Sequence, residues 1–299
     1  RCRHGGDCHA APATGGAMKP APFALHRPRD MQSVLALLDA HGMDARLLAG
    51  GQSLVPMMNL RLVGFEHLID LNRVAGLDGV RLDGDWLHIG AMTRQQSLFD
   101  QPLIGRHAPL LAAALPHIGH IQTRSRGTVG GSLAHADPSA ELPLVMLALQ
   151  ARMSVVSSRG QREIAASDFF EGMMTTGLTH DEVLTAVAIP VAAPGTRVAF
   201  REYARRHGDF AIAAAAAQFV PTDGGQLRVA LGGVNPTPYF CATLSQAMRA
   251  GRSALPALDT LIQQELLRLE PMTDNQADAD YRRVLAAVLL NDCVREVLP

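Results

Sequence analysis

The sequence predicts an α+β fold in two parts, on three observations. Helical and strand-like stretches mix through residues 18–192 without the regular strand–helix beat of a doubly wound sheet. Past a Pro- and Gly-containing linker at 191–195, three strand-like runs follow one another and give way to three helical ones. The chain's 299 residues suffice for two units of ordinary size. The expected division is residues 1–17, 18–192 and 196–299. The first stretch has no hydrophobic periodicity and no initiating Met, so it is read as upstream sequence or a disordered tail, with Met18 as the true start.

Taken in order, residues 30–41 place Met31, Val34, Leu35 and Leu38 on one helical face, with Asp30 suited to the N-cap and Gly42 to the C′ position. Residues 46–49 read as a strand entering Gly50 and Gly51. Residues 54–62 are apolar but interrupted by Pro56, which points to an irregular or short helical stretch. Residues 67–71 are strand-like, and 80–89 hold two alternating runs around Asp83, Gly84 and Asp85, a hairpin signal. Helices are expected at 93–99, capped by Thr93, and at 106–115. A second glycine turn follows at Gly130 and Gly131, and then a helix capped by Ser139 through 142–149. Strands are expected at 151–156 and 183–189, with a helix-like stretch at 167–172 between them.

In the last part, strands are expected at 198–206, 211–220 and 227–234. A turn at 222–225 joins the last two, which predicts an antiparallel three-stranded sheet. Helices are expected at 243–250, 256–269 and 280–298.

Composition narrows the function. Hydrophobic content of 47% with 18% charged residues is that of a soluble globular protein. A formal net charge of −1 argues against nucleic-acid or membrane-surface binding, and no run approaches the roughly 20 apolar residues of a membrane helix. No secretory signal is expected, for want of an apolar core segment. Cys2, Cys8, Cys241 and Cys293 match neither a zinc nor an iron–sulfur spacing and suggest no disulfide framework, which points to the cytoplasm. His117, His120 and His135 fit no common ligand pattern either, so no metal site is expected.

The chemistry rests on the two glycine pairs. Glycine admits positive φ and exposes backbone N–H groups, and successive N–H groups in such a turn make a concavity suited to phosphate. Two such turns far apart in sequence could each hold part of one diphosphate. Neither G-x-G-x-x-G opening a helix nor G-x-S-x-G is present. Asp137, before Pro138, reads either as a turn residue or as an acceptor for a ribose hydroxyl. Residues 205–209 (RRHGD) read either as a turn after a strand or as a flap over a ligand.

Four motifs in this order, AGGQSLVPMMNLRL, RSRGTVGGSLAHADPSAELP, YARRHGDFAIAAAA and LGGVNPTPY, resemble the FAD-binding medium subunit of the molybdenum hydroxylases. The type most similar is the carbon monoxide dehydrogenase medium subunit, related to the flavin domain of xanthine dehydrogenase. The resemblance runs from about Met18 to the C-terminus. It implies a PCMH-type FAD-binding domain of two α+β subdomains followed by a C-terminal domain, with FAD extended and its diphosphate on the two glycine turns. By motif match the cofactor-binding residues are Ala49, Gly50, Gly51, Gln52, Ser53 and Leu54, with Thr128, Gly130, Gly131, Ser132 and Asp137. Tyr203 and residues 206–209 would lie toward the flavin ring.

The family often carries His where this chain has Gln52. Gln has no nucleophilic nitrogen, so the expected FAD is non-covalent. The resemblance also implies a small partner subunit with [2Fe–2S] clusters and a large molybdopterin subunit. Electrons would reach FAD from those clusters and leave to quinone or NAD, and no side chain of this chain need act on the organic substrate. A self-contained flavin oxidase and a non-catalytic flavin-binding scaffold are the alternatives.

Overall fold

The computed structural model describes residues 19–221, 225–247, 253 and 255–298. The extension at 1–17, most of the turn at 222–225 and the end of the helix expected at 243–250 lie outside the described residues.

The first subdomain is a three-stranded parallel sheet, formed by β1 (Ala24–His26), β2 (Ala45–Leu48) and β3 (His67–Asp70) in the order β1-β3-β2. Helix α1 (Met31–His41) starts at Asp30, whose carboxylate accepts from Ser33 N at 2.8 Å, and ends at Gly42 with φ 51°. Its Val34 and Leu38 are buried with Ile69 of β3. A short helix, α2 (Leu54–Asn59), follows the first glycine pair.

In the second subdomain, β4 (Val80–Asp83) and β5 (Trp86–Gly90) form the expected hairpin. Helices α3 (Pro102–His107), α4 (Pro109–Ala114), α5 (Ile121–Arg124), α6 (Val129–His135) and α7 (Glu141–Ala148) come next. Then follow β6 (Arg152–Ser157), β7 (Gly160–Ala165), α8 (Ala166–Phe169), the small hairpin of β8 (Phe170–Gly172) and β9 (Thr175–Thr176), and β10 (Val183–Pro190). The antiparallel five-stranded sheet has the order β4-β5-β10-β6-β7.

Several local expectations fail for identifiable reasons. The helix expected at 93–99 is one 3-10 turn, Gln96–Leu98, because Thr93 is engaged elsewhere: its hydroxyl donates to Gly79 O and accepts from Gly79 N. The helix expected at 106–115 is instead two, broken where Pro109 forces Ala108 out of helical geometry (φ −134°, ψ 61°). Ser139 caps nothing; its N–H is held by Asp137 Oδ1 at 2.8 Å, and α7 begins at Glu141 after Ala140. The stretch at 167–172 is half helix and half strand.

The C-terminal sheet is β11 (Arg197–Tyr203), β12 (Ala213–Val220), β13 (Gln226–Gly232) and a short fourth strand, β14 (Tyr239–Phe240), in that order and antiparallel. Helices α9 (Ala242–Ala247), α10 (Leu258–Leu266) and α11 (Ala279–Val297) cover one face. Strand β12 explains the run of alanines. Ala214 and Ala216 join the core that contains α7, while Ala213, Ala215 and Ala217 join the core that contains Leu290, Cys293 and Val294 of α11. A strand buried on both faces loses its alternating pattern, and methyl side chains let a helix pack close on each side. Helix α7 is buried at every position, which is why it is apolar all round.

Candidate functional site: two glycine loops brought together

The first loop runs from β2 through Ala49, Gly50 and Gly51 into α2. Gly51 has φ 73°, and a Cβ there would stand 3.1 Å from Val55 Cγ2. Among the described residues nothing accepts from the N–H groups of Gly51, Gln52 and Ser53. Gln52 is exposed and Ser53 half-buried. Three consecutive N–H groups without an internal partner, next to a residue of positive φ, form the donor array that an anion needs.

The second pair is built differently. Thr128 is the N-cap of α6, its Oγ1 accepting from Gly131 N at 3.1 Å, so Gly130 and Gly131 form the first turn of a helix rather than an open turn. Their donors are occupied: Val129 N donates to Thr93 O, Gly130 N to Ala91 O at 2.8 Å, and Ser132 N to Thr128 O. The glycines are there for proximity. A Cβ on Gly130 would fall 2.4 Å from Ala91 Cβ, and one on Gly131 would fall 2.7 Å from Thr128 Oγ1 and 3.4 Å from Ala49 Cβ. Positions that close admit no side chain without displacing a neighbour.

The two loops touch. A Cβ on Gly50 would lie 2.2 Å from Arg126 O and 2.9 Å from Gly127 Cα, so residues 126–127 pass directly over Gly50. A polar clamp holds the junction. Asn72 Nδ2 donates to Ala49 O at 2.9 Å, its Oδ1 accepts from Arg94 Nη2 at 2.5 Å, and Arg94 Nη1 donates to Arg126 O. Burial and the nearby Arg126 lower the Arg94 pKa from its ordinary value. The sequence marks neither Asn72 nor Arg94; each acts through partners distant in the chain and belongs to no local motif.

Asp137 is a turn residue here, its carboxylate accepting from Ser139 N. The turn it makes abuts the C-terminal domain, where Gly233 N donates to Pro138 O at 2.7 Å. Arg282, 2% exposed, braces the C-terminal side of that junction by donating to Ile212 O at 2.5 Å and Gly233 O at 2.8 Å, and to Asp274 at 2.7 Å, all within the C-terminal domain. Tyr203, at the end of β11, packs edge-on to Tyr281 at 6.2 Å and accepts through its carbonyl from Ile212 N. Residues 206–209 rest on the first part of the chain, since a Cβ on Gly208 would meet the His120 ring at 2.6 Å.

Two acids, Glu141 buried and Glu202 half-buried, lie between the two parts of the chain. Burial raises the pKa of Glu141, at the start of α7, to about 7. Burial, then the proximity of Glu141, raises that of Glu202 on β11 to about 8. His117 packs against Phe200 and His120 against His207, so the three histidines weighed from the sequence have different neighbours.

A family model described as the FAD-binding domain in molybdopterin dehydrogenase matches residues 21–192, and one described as the CO dehydrogenase flavoprotein C-terminal domain matches residues 198–297. The chain belongs to the FAD-binding subunits of the molybdenum hydroxylases. It is similar to the carbon monoxide dehydrogenase medium chain of Hydrogenophaga pseudoflava, 36% identical over 282 residues that cover 91% of this chain and 96% of that one. It is equally similar to the caffeine dehydrogenase subunit beta of Pseudomonas sp. strain CBB1, 36% identical over 282 residues covering 93% and 95%. Among solved structures, carbon monoxide dehydrogenase from Hydrogenophaga pseudoflava lacking the Mo-pyranopterin moiety of its cofactor matches with a TM-score of 0.89 and 35% identity over 93% of this chain and 98% of that one. Like its relatives, this FAD-binding subunit is an oxidoreductase component.

The residues fit FAD. The partnerless N–H groups of residues 51–53 can hold a phosphate, and the side-chain-free approach of Gly130 and Gly131 lets the two loops close on each other.

Proposed function

We propose that this chain is the electron-transfer subunit of a heteromeric molybdenum hydroxylase, receiving electrons from [2Fe–2S] clusters of a small partner subunit and delivering them to quinone or NAD. A large molybdopterin subunit would act on the organic or gaseous substrate. The observation that carries the reading is the contact of Gly50 with Arg126, which joins two motifs far apart in sequence beside three N–H groups free to bind a diphosphate.

The proposal divides labour between the loops. Residues 51–53 donate to the diphosphate, while Thr128, Gly130 and Gly131 hold α6 close enough to form the opposite wall. Ala49 and Leu54 flank the donor array, Ser132 and Asp137 continue the wall, and Tyr203 faces the flavin-ring side from the C-terminal domain. Bound FAD supplies the ability to take up an electron pair and release electrons singly or together. The chain's own part is to bind and orient it. With Gln52 in place of a possible His, the cofactor is held without a covalent bond.

Residues 18–192 serve as the FAD-binding domain and 196–299 as the C-terminal domain. A cytoplasmic location belongs to the same reading; no helix among the described residues is long and apolar enough to cross a membrane, and Cys241 and Cys293 are unpaired and buried. Relatives named for carbon monoxide and for caffeine match to the same extent, which supports placing substrate choice outside this subunit.

Co-purification from native extract tests the proposal. The expected result is recovery with two further subunits, one containing iron and acid-labile sulfide and the other molybdenum, and substrate-dependent bleaching of flavin in that complex alone. Bleaching in the isolated chain would make it a self-contained oxidase. Bound FAD that the assembled partners never reduce would make it a scaffold.

A further inference from the structure

Three histidines that share no sequence motif meet at one edge of the parallel sheet. His67 pairs with Ala24 in the β1–β3 ladder, and His26 lies two residues beyond Ala24, so both side chains project from the same face. His41 is the last residue of α1, on the helical stripe of Val34 and Leu38 that packs against Ile69. The stripe turns from apolar to imidazole where the helix reaches the sheet's edge.

The rings are in contact. His41 and His67 stack with centroids 3.7 Å apart and planes at 18°, and the His26 centroid is 5.3 Å from that of His41 and 5.2 Å from that of His67. His26 Nε2 is 3.0 Å from His67 Nδ1, and each ring offers one nitrogen within 4.8 Å of the other two. Among the described residues this is the one group of three or more His, Cys, Asp or Glu so arranged, and all three are half-buried.

We infer that His26, His41 and His67 form a binding site for a late first-row divalent metal ion such as Zn²⁺, clipping β1, α1 and β3 together. Zinc bonds imidazole nitrogen at about 2.0–2.1 Å, so two ligand nitrogens stand about 2.9 Å apart at a right angle and about 3.3 Å apart in a tetrahedron. The 3.0 Å separation of His26 and His67 falls in that interval. Imidazole is a favoured ligand for zinc, copper and nickel and a poor one for Mg²⁺ or Ca²⁺. Three protein ligands leave a coordination position for water. The occupant would tether β1, which is three residues long and lies at the sheet's edge.

The test is calorimetric titration of the full chain with Zn²⁺, and separately with Mg²⁺, in wild type, His41→Ala and His26→Gln. Cys2, His4, Cys8 and His9 of the N-terminal extension could take zinc on their own, so the site is read as the difference between wild type and variants. We expect wild type to bind Zn²⁺ and not Mg²⁺, each substitution to weaken Zn²⁺ at least about tenfold, and Zn²⁺ to raise the melting temperature of wild type but not of the variants. Two variants on different elements guard against misfolding of either, which circular dichroism would reveal. Equal Zn²⁺ binding by wild type and both folded variants, or no binding by wild type, would overturn the site.

Discussion

The carbonyl oxygen of Arg126 stands 2.2 Å from the point where a side chain on Gly50 would begin. Backbone cannot yield there as the tip of a flexible side chain could. Gly50→Ala must push residues 126–127 away, at about 1–3 kcal/mol for overpacking of this kind, and so open the junction between the loops. The expected outcome is a folded chain with at least tenfold weaker FAD binding, measured by flavin fluorescence quenching. Unchanged affinity would mean that loop contact is not needed for the cofactor.

Gln52→Ala should behave differently. The side chain is exposed and the donors assigned to the diphosphate are backbone, so FAD affinity should fall by less than about tenfold. Gly51→Ala alters the loop's shape instead, because φ 73° costs an L-residue about 1–2 kcal/mol. The ranking Gly50→Ala and Gly51→Ala well below Gln52→Ala separates a backbone site from a side-chain site.

Asn72→Ala removes the middle of the clamp that ties Ala49 to Arg94 and Arg126. Weaker FAD binding with an almost unchanged melting temperature is expected, since the clamp lies at the exposed edge of the site. A large loss of stability with normal affinity would assign Asn72 to folding instead.

Arg282 makes the opposite case. Replacing it by Met leaves the carbonyls of Ile212 and Gly233 without their donor inside the C-terminal domain, and each such loss costs about 1–3 kcal/mol. Denaturant unfolding should show a loss of about 3 kcal/mol, smaller in Arg282→Lys.

The two acids between the parts of the chain set the sign of a pH dependence. Glu141 and Glu202 hold their protons up to about pH 7 and about pH 8, whereas an unfolded chain releases them near the ordinary value of 4.5. Between those limits the folded state binds more protons than the unfolded one, so their contribution lowers stability as pH rises. Glu202→Gln should therefore raise the melting temperature at pH 9 and change it little at pH 4. A larger gain at pH 4 would reverse the assignment.

Much of this was legible before the structure, for reasons that differ by element. Helix α1 has both a periodic stripe and two caps, and the β4–β5 hairpin has a turn residue with φ 55° at Gly84. Strand β7 escaped because only Ile164 of its six residues and no alternation of apolar positions marks a buried face. The second glycine pair reads in the sequence as an open turn, whereas the structure makes it the first turn of α6. Nothing local shows that Thr128 caps a helix or that Ala91 and Thr93 take the glycine turn's donors. Asn72, Arg94 and the three clustered histidines were invisible for one shared reason: each acts only with partners that the fold brings from other elements.

The most direct measurement is the absorption spectrum of the purified chain after reconstitution with FAD and gel filtration, followed by acid precipitation. We expect flavin bands in stoichiometric amount on the protein and all of the FAD in the supernatant after acid. A colourless chain after reconstitution would contradict FAD binding, and flavin that stays with the precipitate would contradict non-covalent attachment.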